Sequence, residues 1–136
     1  TPASGFVGPM GSLAIGATAG IICFFSATTM KRFFGYDDSL DAFGVHGVGG
    51  TVGALLTGVF AAYSLGGQGT GADSDIAILP QLVVQIKSIL VTLVWSGGVS
   101  AVILFILDKT LGLRVNDAEE TEGLDITQHD EKGYNF

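Results

Sequence analysis

Three long stretches of apolar residues constrain the fold of this chain more than any other feature. They cover approximately residues 6–30, 42–65 and 80–107, and each exceeds the roughly 20 residues that a helix needs to cross the hydrocarbon core of a bilayer. Lipid offers no hydrogen-bond partner to an open backbone, so helices are favoured over strands in these stretches. The sequence therefore predicts an all-α integral membrane protein with three transmembrane helices.

Composition supports this fold class and separates the chain into two regions. Hydrophobic residues make up 48% of the sequence, the mean hydropathy is +0.54, and the 14% of charged residues cluster outside the apolar stretches. We expect residues 1–113 to form the membrane region and residues 114–136 to form an acidic cytoplasmic tail. Seven acidic residues and one lysine lie between positions 115 and 136, which disfavours nucleic acid or anionic lipid as a partner of this tail.

Basic residues predict the orientation of the three helices. Lys31 and Arg32 follow the first stretch, Lys109 and Arg114 follow the third, and the glycine-rich loop 66–75 has no basic residue. By the positive-inside rule, this loop faces outward and the C-terminus is cytoplasmic in a cell (inner or plasma) membrane. The chain starts without a methionine or a signal-peptide pattern, so we expect it to be the C-terminal part of a longer protein.

Small residues recur at every fourth position in each apolar stretch, a spacing that allows helix backbones to approach closely in a membrane. They are Gly8, Ser12, Gly16 and Gly20 in the first stretch, Gly49, Gly53 and Thr57 in the second, and Ser88, Thr92, Ser96 and Ser100 in the third. This pattern predicts a tightly packed helix bundle.

His46 is the candidate functional residue, because it lies within the second apolar stretch. An ionisable group inside a membrane helix is costly and is a functional-site hypothesis by default. Glycines surround it, and we expect Ala42, Phe43, Gly50 and Gly53 to border either a pore or a tight helix contact. The imidazole could line a path for a small hydrogen-bonding solute, or it could bond to another helix; both interpretations remain open.

Carboxylates precede His46 in the sequence. Asp38 and Asp41 stand before or at the start of the second helix, where carboxylates accept hydrogen bonds from free backbone N–H groups. A helix-capping, structural role is the first interpretation, and a vestibule that attracts cations is the alternative. No cysteine–histidine set has metal-ligand spacing and no nucleophile or phosphate-binding motif occurs, so we expect no metal, no cofactor and no enzymatic activity.

The chain resembles the ammonium transporter (Amt/Mep/Rh) family, most closely its bacterial and archaeal branch. The main match is Asp41-Ala-Phe-Gly-Val-His46-Gly-Val-Gly-Gly, followed by Gly53 and by Leu-Thr-Gly-Val-Phe-Ala at 56–61. Shorter matches in the same order are Thr-Pro-Ala-Ser-Gly at 1–5, Val-Trp-Ser-Gly at 94–97, Gly-Leu-Arg-Val at 112–115 and Glu-Gly-Leu-Asp at 122–125.

This resemblance implies that the three helices are the ninth to eleventh of an eleven-helix, inverted-repeat subunit of a homotrimer. His46 matches one of two pore histidines, and the other would lie in sequence outside this chain. The implied activity is transport of ammonium or ammonia, with methylammonium as an analogue. A sensor of ammonium with minor flux is the alternative that the resemblance also allows.

The acidic tail carries a further set of expectations. Asn116 and Glu119 have the spacing of a capping box, and Gly123 is suited to end the short helix that follows. By resemblance, the tail is regulatory and helps a PII signalling protein to close the cytoplasmic mouth, with Arg114, Gly123, Leu124 and Asp125 as its candidate residues. Disorder of an acidic segment is the alternative.

Overall fold

The computed structural model describes residues 1–69 and 75–133, and within them it confirms an all-helical fold with three helices that could cross a membrane. These helices are α1 (Pro9–Phe34), α2 (Phe43–Phe60) and α3 (Ile78–Thr110). Two short helices follow, α4 (Asp117–Glu122) and α5 (Leu124–His129). The chain divides into two units, residues 1–92 and 93–136, and each is described by itself.

Helix α1 changes its hydrogen-bonding pattern near its C-terminal end. It is α-helical over Pro9–Phe25, π-helical over Ser26–Met30 and α-helical again over Lys31–Phe34. Proline at the first helical position suits the start, since its missing N–H would have no partner there. Gly35 ends the helix with φ +64°, the left-handed conformation that glycine adopts without a steric penalty.

Helix α2 begins with a second π-helical turn, Phe43–Val48, and continues as α-helix over Gly49–Phe60. It ends before Leu65, the end that hydropathy predicts, because the backbone of Ala62 is extended and Tyr63–Leu65 form a 3₁₀ turn. Ala61 and Ala62, just before this turn, are almost fully buried. Their apolar character therefore reflects packing within the protein and not contact with lipid.

Helices α1 and α2 form an antiparallel pair in the first unit. Near the start of α1, Gly11 lies against the Phe60 ring, and a methyl group on Gly11 would approach the Phe60 Cβ to 3.1 Å. The N-terminal segment also joins this end of the pair, because the backbone N–H of Gln68 donates to the Phe6 carbonyl oxygen at 2.9 Å. The other end of the pair carries the candidate site.

Helix α3 is unlike the first two, because none of its residues is buried. Its 33 residues correspond to about 50 Å of α-helix, more than the ~30 Å thickness of a hydrocarbon core. Within the first unit it approaches α2 at Gly58, where a methyl group would lie 3.0 Å from the Gln85 side chain. Its predicted small-residue stripe is exposed at all four positions, Ser88, Thr92, Ser96 and Ser100.

Candidate functional site

His46 lies in the π-helical turn Phe43–Val48 at the start of α2, and its side chain is exposed. Such turns replace i→i+4 hydrogen bonds by i→i+5 bonds and occur frequently at functional sites. An exposed neutral imidazole offers one hydrogen-bond donor and one acceptor to a small polar solute. The turn therefore presents a polar group within an apolar helix.

The start of this turn is held by the segment that connects α1 to α2. The two carboxylate oxygens of Asp38 accept hydrogen bonds from the backbone N–H groups of Ala42 and Phe43, each at 2.9 Å. The Tyr36 ring packs edge-to-face on the Phe43 ring, with 5.8 Å between centroids. Asp38 satisfies two N–H groups that a helix start leaves without an intrahelical partner.

Asp41 makes a contact different from the cap that its position predicts. Its carboxylate pairs with Lys31, with 2.7 Å between Nζ and Oδ1, while the Asp38 carboxylate takes the capping position. Asp41 also has φ +53°, a left-handed conformation that is uncommon for residues other than glycine. Its structural role is to join the ends of α1 and α2.

The π-helical turn lies directly against α1, where glycine is required by close approach. A methyl group on Gly44 would lie 3.1 Å from the backbone nitrogen of Ala27, and one on Gly49 would lie 2.7 Å from Cys23 Sγ. The Cys23 thiol also donates to the Val45 carbonyl oxygen at 3.8 Å. Any side chain larger than hydrogen at Gly44 would crowd the backbone of Ala27 in α1.

Gly50 and Gly53, both predicted to border a pore or a tight helix contact, have different surroundings in the structure. Gly53 packs against the Pro2 ring, 3.2 Å from its Cδ, and Thr57 is buried with its hydroxyl bonded to the Gly53 carbonyl oxygen. Gly50 instead has open space where a side chain would begin. Gly53 is therefore a packing position, whereas Gly50 borders open space one helical turn beyond His46.

Three contacts of this site were not expected from the sequence. They are the pairing of Lys31 with Asp41, the ring contact of Tyr36 with Phe43, and the close approach of Ala27 to Gly44. The one usable signal was a lysine after the first apolar stretch and an aspartate before the second. Among the described residues, no group of three histidine, cysteine, aspartate or glutamate side chains is placed to hold a metal ion.

The tail, described to residue 133, has a defined local structure. Its predicted capping box is confirmed, because the Asn116 side chain accepts from the Glu119 backbone N–H and the Glu119 side chain accepts from the Asn116 N–H. Arg114 pairs with both carboxylate oxygens of Glu120 at 2.8 Å. Gly123 separates α4 from α5 with φ +108°.

The remaining predicted tail residues lie near this glycine. Leu124 opens α5 and stays about half exposed, and the Asp125 carbonyl oxygen accepts from the Glu131 N–H at 2.9 Å. The terminal aromatic residues Tyr134 and Phe136, expected to support docking of the tail, lie outside the described residues.

Comparison with known proteins places these features in a family. The sequence profile of the Ammonium Transporter Family matches residues 1–134. The chain is 46% identical over its whole length to an ammonium transporter of Aquifex aeolicus, of which it covers 31%. It is 44% identical to an ammonium transporter of Bacillus subtilis and 36% identical to ammonium transporter Amt1 of Archaeoglobus fulgidus, with 98% of this chain and 33% of each relative covered.

The chain thus spans about a third of the length of the curated relatives it matches. The match includes the Asp41–His46 motif, the three membrane helices and most of the tail. The chain therefore belongs to the Ammonium Transporter Family.

Proposed function

We propose that this chain forms the last three membrane helices of an ammonium transporter subunit and that His46 lines its pore. The observation that carries the proposal is the placement of His46: an exposed imidazole in a π-helical turn of a membrane helix, with open space at Gly50. Membership in the Ammonium Transporter Family supports ammonium as the substrate. The alternative is a histidine that only packs against another helix of the complete subunit, and the His46→Ala variant described below distinguishes the two roles.

Charge decides which form of the substrate passes His46. A bare cation is costly in a dry, narrow pore within the membrane. Ammonium would give up one proton near the outer entrance, neutral ammonia would pass His46, and a proton would be taken up again on the inner side. The imidazole nitrogens would offer ammonia a hydrogen-bond donor and an acceptor in place of water.

The topology and assembly follow from the same proposal. The C-terminus would lie in the cytoplasm, which is supported by the basic residues at the C-terminal ends of α1 and α3 and by Arg114. The subunit would assemble as a homotrimer in the cell membrane, with a second pore histidine supplied by an earlier helix of the same subunit. Helix α3 has no buried residue within this chain, so its faces would be available to other helices of the subunit or to lipid.

The tail, residues 114–136, would act as a regulatory segment that contacts a PII signalling protein. Its support is the defined structure of a segment whose composition alone favours disorder: a complete capping box, the paired side chains of Arg114 and Glu120, and a sharp turn at Gly123. The half-exposed Leu124 at the start of α5 would be available for docking.

The test of the pore is a comparison of the two histidines of this chain in the complete subunit. We expect His46→Ala to lower methylammonium uptake about tenfold, because one hydrogen bond of about 1–1.5 kcal/mol to the solute is lost. His129→Ala is the matched control, since His129 lies in the tail helix α5, and it should transport like the wild type.

Uptake is measured in cells that lack other ammonium transporters, with the amount of membrane-inserted protein quantified for each variant. Wild-type flux and wild-type selectivity for ammonium over methylammonium in His46→Ala would exclude a pore role. Negligible flux in the wild type, together with an intact response of the cell to ammonium, would favour a sensor.

A further inference from the structure

Lys31 joins the end of one π-helical turn to the start of the other. It directly follows the turn Ser26–Met30 of α1, and its ammonium group contacts Asp41, two residues before the turn Phe43–Val48 of α2. The same ammonium group donates to the backbone carbonyl oxygen of Asp38. The pair is partly buried, with exposed side-chain fractions of 28% for Lys31 and 40% for Asp41.

Asp41 is held in an uncommon conformation at the point where its backbone enters the turn. Its φ of +53° is left-handed, which few residues with a side chain adopt without support from their surroundings. Its carbonyl oxygen accepts from the Val45 N–H at 2.9 Å. Asp41, which pairs with Lys31, therefore also supplies a backbone acceptor for the turn that contains His46.

The direction of the His46 side chain depends on where this turn begins. A shift of one residue along a helix rotates a side chain by about 100° around the helix axis. The close approach of Gly44 to Ala27 restrains the second residue of the turn, and the Asp38 carboxylate accepts from the N–H groups of Ala42, just before the turn, and Phe43, its first residue. The pairing of Lys31 with Asp41 adds a further link between this start and α1.

We propose that Lys31 and Asp41 are positioning residues for His46, an inference that rests on the pore role proposed above. Lys31 acts through Asp41 and does not touch the solute. The pair sets the residue at which the π-helical turn starts, and thereby the angle at which the imidazole faces the path. An ordinary surface ion pair, in contrast, contributes little and would leave His46 unchanged.

The experiment compares five variants with the wild type in the complete subunit. Lys31→Met and Asp41→Asn each remove the ion pair, and asparagine keeps the tolerance for the left-handed conformation. We expect each to lower methylammonium uptake about fivefold or more per inserted protein, because misplacement of a positioned group is costly. The double variant should be no worse than either single variant, since both remove one interaction.

Two further substitutions distinguish the loss of the ion pair from the loss of a positive charge near the end of α1. Lys31→Arg keeps a cation and its donors at the same position and should recover most of the uptake. Arg32→Met, the matched control, removes the adjacent and exposed cation and should leave uptake at the wild-type level. Additive effects of Lys31→Met and Asp41→Asn, or an equal loss in Arg32→Met, would overturn the proposal.

A second readout does not depend on transport. Solid-state NMR of ¹⁵N-histidine-labelled protein in bilayers, with the His46 signals assigned by their loss in His46→Ala, reports the environment of the imidazole. Lys31→Met should shift these signals and Lys31→Arg should restore them. Unshifted His46 signals in Lys31→Met would overturn the positioning role. Shifted signals in Lys31→Met, together with unchanged transport in His46→Ala, would support the positioning role and reject only the pore role.

Discussion

Helices α1 and α2 carry some of their small residues at sites of contact and others, Gly16, Gly20 and Gly50, beside open space, whereas Gly97 and Gly98 of α3 both lie beside open space. Gly11, Gly44 and Gly49 each lie where a methyl group would meet the neighbouring helix at about van der Waals distance or closer. The same sequence signal therefore marks an internal contact at some positions and a free face at others, and spacing alone does not distinguish them.

The strongest test of this difference is a large side chain at Gly44 and at Gly97. Gly44→Leu should lower the stability of the membrane region by about 3 kcal/mol or more, because the backbone of Ala27 cannot move aside as a side chain can. Gly97→Leu is the matched control and should fold normally. Yield and apparent melting temperature of the purified proteins measure the effect, and a greater loss in Gly97→Leu would reverse the comparison.

A second test compares leucine substitutions at Gly53 and Gly50, two glycines that follow His46 in α2. Gly53→Leu should destabilise the protein by about 1–2 kcal/mol, less than Gly44→Leu, since the Pro2 ring can shift to make room. Gly50→Leu should retain its melting temperature and lose methylammonium uptake, because the leucine enters the open space beside His46. Uptake at the wild-type level in a stable Gly50→Leu protein would show that this space is not part of the path.

A third test concerns the tail, where we expect a local effect and no change in the stability of the membrane region. Gly123→Asp should disturb the turn between α4 and α5, since φ +108° costs a residue with a side chain about 1–3 kcal/mol locally. We expect the membrane region to melt as in the wild type, while co-purification of PII and its shut-off of uptake weaken. Gly133→Asp adds the same charge at a glycine without a positive φ and should behave as the wild type.

The features that could be predicted from the sequence are those that depend on neighbouring residues. Long apolar stretches predicted the three membrane helices, the order of short motifs predicted the family, and the spacing of Asn116 and Glu119 predicted the capping box; the findings confirm all three. Membership in a transporter family also confirms the expectation that the chain does not belong to an enzyme.

The features that could not be predicted depend on contacts between distant residues or on a change of helix type. Hydropathy has no signature that separates i→i+5 from i→i+4 hydrogen bonding, so the π-helical turns were not expected. Lys31 and Asp41 are ten positions apart, and their pairing requires the path of the connection between the helices. Which residue each glycine packs against likewise depends on which helix lies next to it in the fold.

The short connection between α1 and α2 has a consequence for how the protein is made. Only residues 35–42 separate the two helices, and the contacts that join them across this turn are close in sequence. Pairing over so short a connection costs little chain entropy and is fast relative to the pairing of distant segments. We therefore expect α1 and α2 to enter the bilayer as a helical hairpin that is already associated before the ribosome has completed α3.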